Sequence, residues 1–201
     1  MCSCFELIAT QEAINQRFEI SFSWNIPKEV QSRPTDPVLA ITYQGPKLFH
    51  WGLKVDWSAK PIINARCETL NQKKVFSSLL EARCLIPASA YFEWRKDGKN
   101  KLKNRITLSD GTFSPLFSFA GLYDGEQLTI ITCPPAKSIS HIHDRMPVIL
   151  NKMHERLWIN PESSFATASN ALVPLHTDKL KAEEHIPLPS PQSDLFISNV
   201  P

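Results

Sequence analysis

Between Cys84 and Cys133 the chain offers short runs of strand-forming residues, CLIP, AYFEW, ITL, PLFSFAGLYD and QLTIITC, each too brief for a buried helix. Asp97-Gly98, Asp110-Gly111 and Asp124-Gly125 punctuate them, and Asp-Gly supplies the positive φ that a tight hairpin turn requires. Strands joined by such turns pair antiparallel with their neighbours, because a parallel partner would need a long crossover. This stretch therefore commits the chain to a meandering antiparallel sheet or a partial barrel.

The flanking sequence adds helices to that core. Thr10 followed by QEAINQRFEI reads as a capped helix with Ile14 and Phe18 on one buried face and Glu12 near the positive end of the dipole. Residues 24–37 hold three prolines and read as an ordered loop leading into the strand VLAITY, which KLFHWG then pairs after the Gln44-Gly45-Pro46 turn. Glu68 to Cys84 is the most helix-like stretch, with Val75, Phe76, Leu79 and Leu80 on one side. A further helix is expected from about Lys152 to Ile159, then a proline-rich tail from Pro174. The expected class is α+β: a single domain over residues 1–201, with antiparallel sheets forming a partial barrel-like core and helices flanking it.

Composition narrows the function classes. A formal charge of +2 is too small for a general nucleic-acid coat, so any polyanion must be met by local clustering. The run RKDGKNKLKNR after Trp94 supplies one, as either a solvated hairpin tip or a phosphate contact. Five cysteines in irregular spacing make no disulfide framework, and Cys2 and Cys4 lack the spacing of a zinc knuckle. No apolar run reaches membrane-spanning length and the first residues lack a secretory signal, so no membrane partner and a cytoplasmic location are expected. No metal or cofactor is implied.

Polar residues set among apolar ones mark the candidate chemistry. Removal of Met1 would turn Cys2 into an aminothiol whose amine and thiol, with ordinary pKa values of about 8 and about 8.5, are both partly nucleophilic near neutral pH. With an aldehyde the amine would form an imine and the thiolate would close on it as a five-membered thiazolidine. An early cysteine is usually a small, buried, inert residue, and the N-terminus taken alone favours that reading. Glu93 alternates with Phe92 and Trp94, which puts it on the Tyr91 face of a strand, where a surface carboxylate is the ordinary expectation. His143 precedes Asp144-Arg145-Met146-Pro147, in a loop suited to project into a cleft, and His141 competes with it.

These residues lie in ordered blocks: Met1-Cys2 with Phe5, Trp57 to Thr69 (WSAKPIINARCET), Arg83 to Trp94 (RCLIPASAYFEW), Phe119 to Asp124 (FAGLYD) and His143 to Leu150 (HDRMPVIL). In this combination the sequence resembles the SOS-response-associated peptidase (SRAP) domain family, whose members process abasic sites in single-stranded DNA. The resemblance implies that Cys2, freed of Met1, captures the ring-opened aldehyde as a thiazolidine. It gives Asn64 a hydrogen bond to the linkage or opened sugar, Glu93 the proton transfers, and His143 the sugar hydroxyl or Schiff-base stage. Arg66 would hold a phosphate beside the lesion and Trp57 would pack on an exposed base. The partner implied is abasic single-stranded DNA, met by a monomer, with the replication machinery as a candidate associate.

The family's usual opening is MCGRF, and here Ser3 and Cys4 replace the glycine and arginine. A phosphate contact is thereby lost or taken over by another base, for which Arg33 is the candidate. The tail also lacks the family's asparagine-rich stretch. Two other readings stay open: a cysteine-type (auto)peptidase built on Cys2, His143 and Glu93, and a non-covalent single-stranded DNA-binding module.

Overall fold

The computed structural model describes residues 2–26, 31–108, 116–175 and 179–185. Its core is a five-strand ring. Strands β2 (Pro37–Thr42) and β3 (Gly45–Trp51) form the expected hairpin, and β7 (Arg83–Ala88), β10 (Phe117–Asp124) and β11 (Gln127–Cys133) complete the order β11-β3-β2-β7-β10, with β10 pairing back onto β11. The ring closes without a free edge between these strands, and two short strands, β12 (Met146–Pro147) on β11 and β13 (Ile149–Leu150) on β10, lie against it. One seam departs from the antiparallel expectation: β11 runs parallel to β3 through Gln127 opposite His50 and Leu128 opposite Trp51.

The interior of the ring is apolar, with Trp51, Phe49, Ile86, Phe119, Leu128 and Ile130 all buried. Gly121 of the FAGLYD block has a packing reason. A Cβ there would stand 2.7 Å from Ile86 Cδ1 and 2.9 Å from Cys84 Sγ, closer than real side chains approach.

A second sheet lies beside the ring, in the order β1 (Phe5–Glu6), β8 (Ala90–Asp97), β9 (Asn100–Leu108) and β14 (Leu180–Glu184). The chain passes from β7 into β8 at Ser89, whose amide donates to the Glu6 carbonyl at 2.8 Å and whose hydroxyl accepts from the Ile8 amide at 2.9 Å. Phe5 pairs with Tyr91, and the Cys4 carbonyl accepts from Phe92 N–H at 2.9 Å. The N-terminal residues are thus a strand of the sheet, bonded on their other side to Ser32.

Helix α1 (Gln11–Phe18) is capped as expected, with Thr10 accepting from Ala13 N–H, and it ends at Glu19 in the left-handed region. Around Glu68–Cys84 the structure corrects the sequence. A single-turn helix, α2 (Lys74–Ser77), replaces the long one, and β7 begins already at Arg83. Its start, Lys73, provides no capping side chain, and consecutive serines at 77 and 78 compete for backbone hydrogen bonds. Phe76 is nevertheless buried, so the apolar spacing reports packing without continuous helix. Helix α3 (Lys152–Ile159) has the expected bounds and an Asn151 cap, and α4 (Phe165–Ala168) follows. Arg17 of α1 grips Glu155 of α3 through two bonds of 3.0 and 2.8 Å, and Ser118 donates to the same carboxylate at 2.7 Å.

The tail contributes β14, paired along β9 from Leu180 opposite Leu108 to Glu184 opposite Asn104. The Asp110-Gly111 turn and the end of the proline-rich tail lie outside the described residues, as do residues 27–30 of the loop before β2. Among the described residues no helix is long and apolar enough to cross a membrane.

Candidate active site

Four of the singled-out blocks meet where the second sheet joins the ring. Strand β6 (Asn64–Arg66) runs parallel to β11, with Asn64 opposite Ile130 and Arg66 opposite Thr132. Alternation buries Ala65 and turns Asn64 and Arg66 the other way, Arg66 into solvent. Asn64 Nδ2 donates to the Cys2 carbonyl at 2.8 Å. Its Oδ1 is buried and has no hydrogen-bond partner among the described residues.

Cys2 is fully buried, and its thiol donates to the Cys4 carbonyl at 3.6 Å. Burial pushes this thiol well above its ordinary range, and the charge of Glu93 pushes the same way. Cys2 and Cys4 are both free thiols, as are Cys67, Cys84 and Cys133.

Glu93 is not the surface carboxylate that its strand position suggested. It is 2% exposed, with His143 against it and the buried Cys2 close enough for its charge to bear on the thiol. Burial raises its pKa to about 7, so the carboxyl exchanges a proton near neutrality. His143 Nε2 stands 3.9 Å from Glu93 Oε2, one small movement beyond a hydrogen bond. Burial lowers the pKa of His143, which keeps its ring neutral at physiological pH. Nδ1 lies 3.0 Å from the Arg145 amide and 2.8 Å from Asp144 Oδ1, so it accepts from the first when bare and donates to the second when protonated.

Glu93 and His143 open onto a cleft of about 730 Å³ that Ser3, Lys96, Lys101 and His141 also line. His141 is exposed on its rim. The basic run after Trp94 splits in two. Lys96 and Lys101 face the cleft, whereas Arg105 is bound to buried Glu6, its Nε at 2.8 Å, and Lys103 donates to Gln31 at 2.9 Å with its ammonium 4.1 Å from the Phe92 ring. Cys4 donates to the same Gln31 oxygen at 3.5 Å. Arg33, the candidate replacement base, is exposed near Cys4 and bears on the thiol together with the larger influence of Lys103. Trp57 sits between β4 (Leu53–Val55) and β5 (Ser58–Ile62), 73% exposed, an open aromatic face rather than a core residue.

Sequence reasoning passed over Arg145. Its guanidinium holds Glu68 through bonds of 2.6 and 2.9 Å and reaches the Thr132 carbonyl at 2.7 Å, tying the His143 loop to the end of β6. The Arg145 hydrogen bonds hold Glu68 down at about 2. The signal was an arginine among apolar residues in HDRMPVIL, which spacing alone could not link to Glu68. Among the described residues no cluster of three metal-ligating side chains occurs.

Comparison with known proteins gives the family and the fold. The family described as SOS response associated peptidase (SRAP) matches residues 1–185. The chain belongs to this family. It is 36% identical over 204 residues to the abasic site processing protein YoaM of Bacillus subtilis, spanning 90% of this chain and 86% of that one. The abasic site processing protein YoqW of Bacillus phage SPbeta is 34% identical over 212 residues, with 90% and 91% covered. A crystal structure of a Bacteroides thetaiotaomicron protein superposes with a TM-score of 0.80 at 26% identity, over 91% of both chains. A Bordetella bronchiseptica structure gives 0.78 at 23% identity over 92% of this chain and all of its own, a likeness of fold. The α+β barrel-like architecture is therefore that of the family.

Proposed function

We propose that the protein processes abasic sites in single-stranded DNA by covalent capture, with Cys2 as nucleophile once Met1 is removed. The observation that supports this reading is the convergence of four separate blocks of the chain: Glu93 and His143 line one cleft with Ser3, and Cys2, buried behind it, is held by Asn64. The names of the relatives support abasic-site processing, and the cleft's chemistry supports the covalent form.

The Cys2 amine attacks the aldehyde carbon of the opened sugar, and loss of water leaves an imine. Glu93, with its pKa of about 7, gives the proton that departs with the hydroxyl and can take one back. The Cys2 sulfur then adds to the imine carbon as the π pair moves to nitrogen, closing the thiazolidine. Asn64 fixes the Cys2 carbonyl, and its Oδ1, without a partner among the described residues, would accept from a hydroxyl of the opened sugar. His143 at the cleft edge steadies that sugar. Lys96 and Lys101 supply positive charge for the flanking phosphates, with Arg66 and Arg33 further along and Trp57 as a stacking surface. A missing base makes the nucleotide cheaper to extrude into such a cleft.

Complete burial of Cys2 favours a second reading, a non-covalent single-stranded DNA binder. The peptidase reading gains less, since the Cys2 thiol is hydrogen-bonded to the Cys4 carbonyl. One experiment separates them: an oligonucleotide bearing a single abasic site is incubated with the protein and run on a denaturing gel. Covalent capture gives a shifted band that Cys2→Ala abolishes. No shift, with binding intact by fluorescence anisotropy, would sink covalent capture in favour of the binder. Intact mass of the purified chain checks that Met1 is gone.

A further inference from the structure

The face of the second sheet turned away from the ring carries a charge that the cleft does not use. Phe5 and Tyr91 point from that sheet into the ring, against Trp51 and Phe119, so alternation sends Cys4, Phe92 and Trp94 to the other side. Pairing of β8 with β9 sets Lys96 opposite Lys101 and, two residues further in, Trp94 opposite Lys103. Opposed residues share a face. Lys96, Lys101 and Trp94 line the cleft, which makes Lys103 the next cation along the same surface. On the far edge, the antiparallel bridge between Phe5 and Ser32 sets Arg33 across from Cys4.

Lys103 is held in place without being neutralised. Its ammonium stands 4.1 Å from the centre of the Phe92 ring and 5.8 Å from that of Trp94, and it donates to Gln31 Oε1 at 2.9 Å. The Cys4 thiol donates to the same oxygen at 3.5 Å, which fixes the amide. Gln31 carries no charge, and among the described residues no acceptor takes the other two ammonium hydrogens. Nearby carboxylates do not supply the counter-charge. Buried Glu6 is bound by Arg105, Glu183 of β14 stands opposite Arg105, and Asp36 accepts from the Arg33 amide at 2.7 Å. A half-buried side chain kept only to cover Phe92 would need no charge, and partly desolvating an unpaired ammonium costs stability. We infer that Lys103 and Arg33 form a second phosphate subsite, on the outer face of β8 and β9, for a single strand running off the cleft past Trp94. Its side chains offer N–H donors and positive charge, which suit an anion, and the surface continues from the cleft lysines, which makes that anion a phosphate of the same strand. Cations ranged beside aromatic rings are the composition that tracks a single strand. The inference rests on reading the cleft as a single-stranded DNA site and needs no covalent step.

The test is the salt dependence of binding. Wild type, Lys103→Met and Lys103→Arg are titrated by fluorescence anisotropy with an unmodified single-stranded oligonucleotide over a series of salt concentrations. Each phosphate contact on a single strand contributes about 0.7 to the slope of log affinity against log salt, equivalent to about fivefold in affinity at about 0.1 M salt. Lys103→Met keeps an unbranched chain beside Phe92 and loses the charge, so it should flatten the slope by that amount and weaken binding about fivefold. Lys103→Arg should keep the wild-type slope. A wild-type slope in Lys103→Met overturns the inference whatever its unfolding temperature, because a role confined to packing leaves counterion release untouched. Equal flattening in Lys103→Arg, which retains the charge, overturns it as well. If Lys103→Met fails to fold, Arg33→Gln at the exposed end of the subsite takes the same measurement, with the same flattening expected and an unmoved slope again overturning it. A wild-type protein that binds no single strand refutes the reading of the cleft itself, a result distinguishable from wild-type binding with an unchanged slope in the variant.

Discussion

Replacing Glu93 by glutamine removes a buried ionisation and leaves the shape almost unchanged, so its effect on stability should depend on pH in a calculable way. The carboxyl titrates at about 7 in the folded protein against an ordinary 4.5. At about 1.4 kcal/mol per pH unit, ionising it inside costs about 3 kcal/mol more than ionising it in the unfolded chain. The sign follows from proton binding. Between about pH 4.5 and about pH 7 the native state holds more protons than the unfolded state, so this group's contribution to stability declines as pH rises and levels off above about 7. At about pH 4 both forms of wild type carry a neutral carboxyl, and Glu93→Gln should differ from it only by local hydrogen bonding. At about pH 8 the variant should have gained about 3 kcal/mol on wild type, equivalent to roughly 6–12 °C in unfolding temperature for a chain of this size. Paired urea titrations at the two pH values measure the difference directly. An equal offset at both would refute the claim that burial strains the Glu93 carboxylate. The same variant should lose capture by roughly 10²–10⁴-fold, the usual worth of a positioned proton donor.

Arg17→Ala should destabilise by roughly 3 kcal/mol in chemical denaturation, because it leaves the buried Glu155 carboxylate with Ser118 alone. Arg145→Gln should flatten the acid limb of stability. Glu68, held at about 2, favours the native state above about pH 4.5 and loses that contribution as pH falls towards 2; its near half exposure limits the effect to about 1 kcal/mol, read from unfolding curves between those values. Trp57→Ala should leave the unfolding temperature within about 1–2 °C while weakening single-stranded DNA binding by roughly 1–3 kcal/mol in anisotropy titrations.

The β-meander was legible because Asp97-Gly98 and Asp124-Gly125 fix hairpins locally, and the helices that carry a capping residue, Thr10 and Asn151, begin where their caps stand. The stretch from Glu68 was misread because its apolar spacing satisfies a helix and a packed turn alike, and the missing cap decides between them. The parallel seam between β11 and β3 joins residues far apart in sequence, and no local signal announces it. At the cleft, motif order grouped Asn64, Glu93 and His143, but only the fold supplies their environment. With the His143 loop against it, a strand glutamate became a buried acid. Arg105 and Lys103, counted as free charge in the basic run, are engaged by Glu6 and Gln31.

Stitching the N-terminal residues into a sheet sets the chemical shelf life of the nucleophile. An aminothiol on a loose tail would meet every diffusing aldehyde and peroxide, and a single oxidation or adduct would spend it. Here the Cys2 sulfur is sealed from solvent and held as a thiol by burial. Casual electrophiles therefore find an inert residue, whereas under the proposed capture a DNA strand held by Lys96 and Lys101 would carry its aldehyde to the cleft for as long as the phosphates stay bound. Discrimination of that kind would depend on residence time at the opening rather than on recognition of the missing base itself.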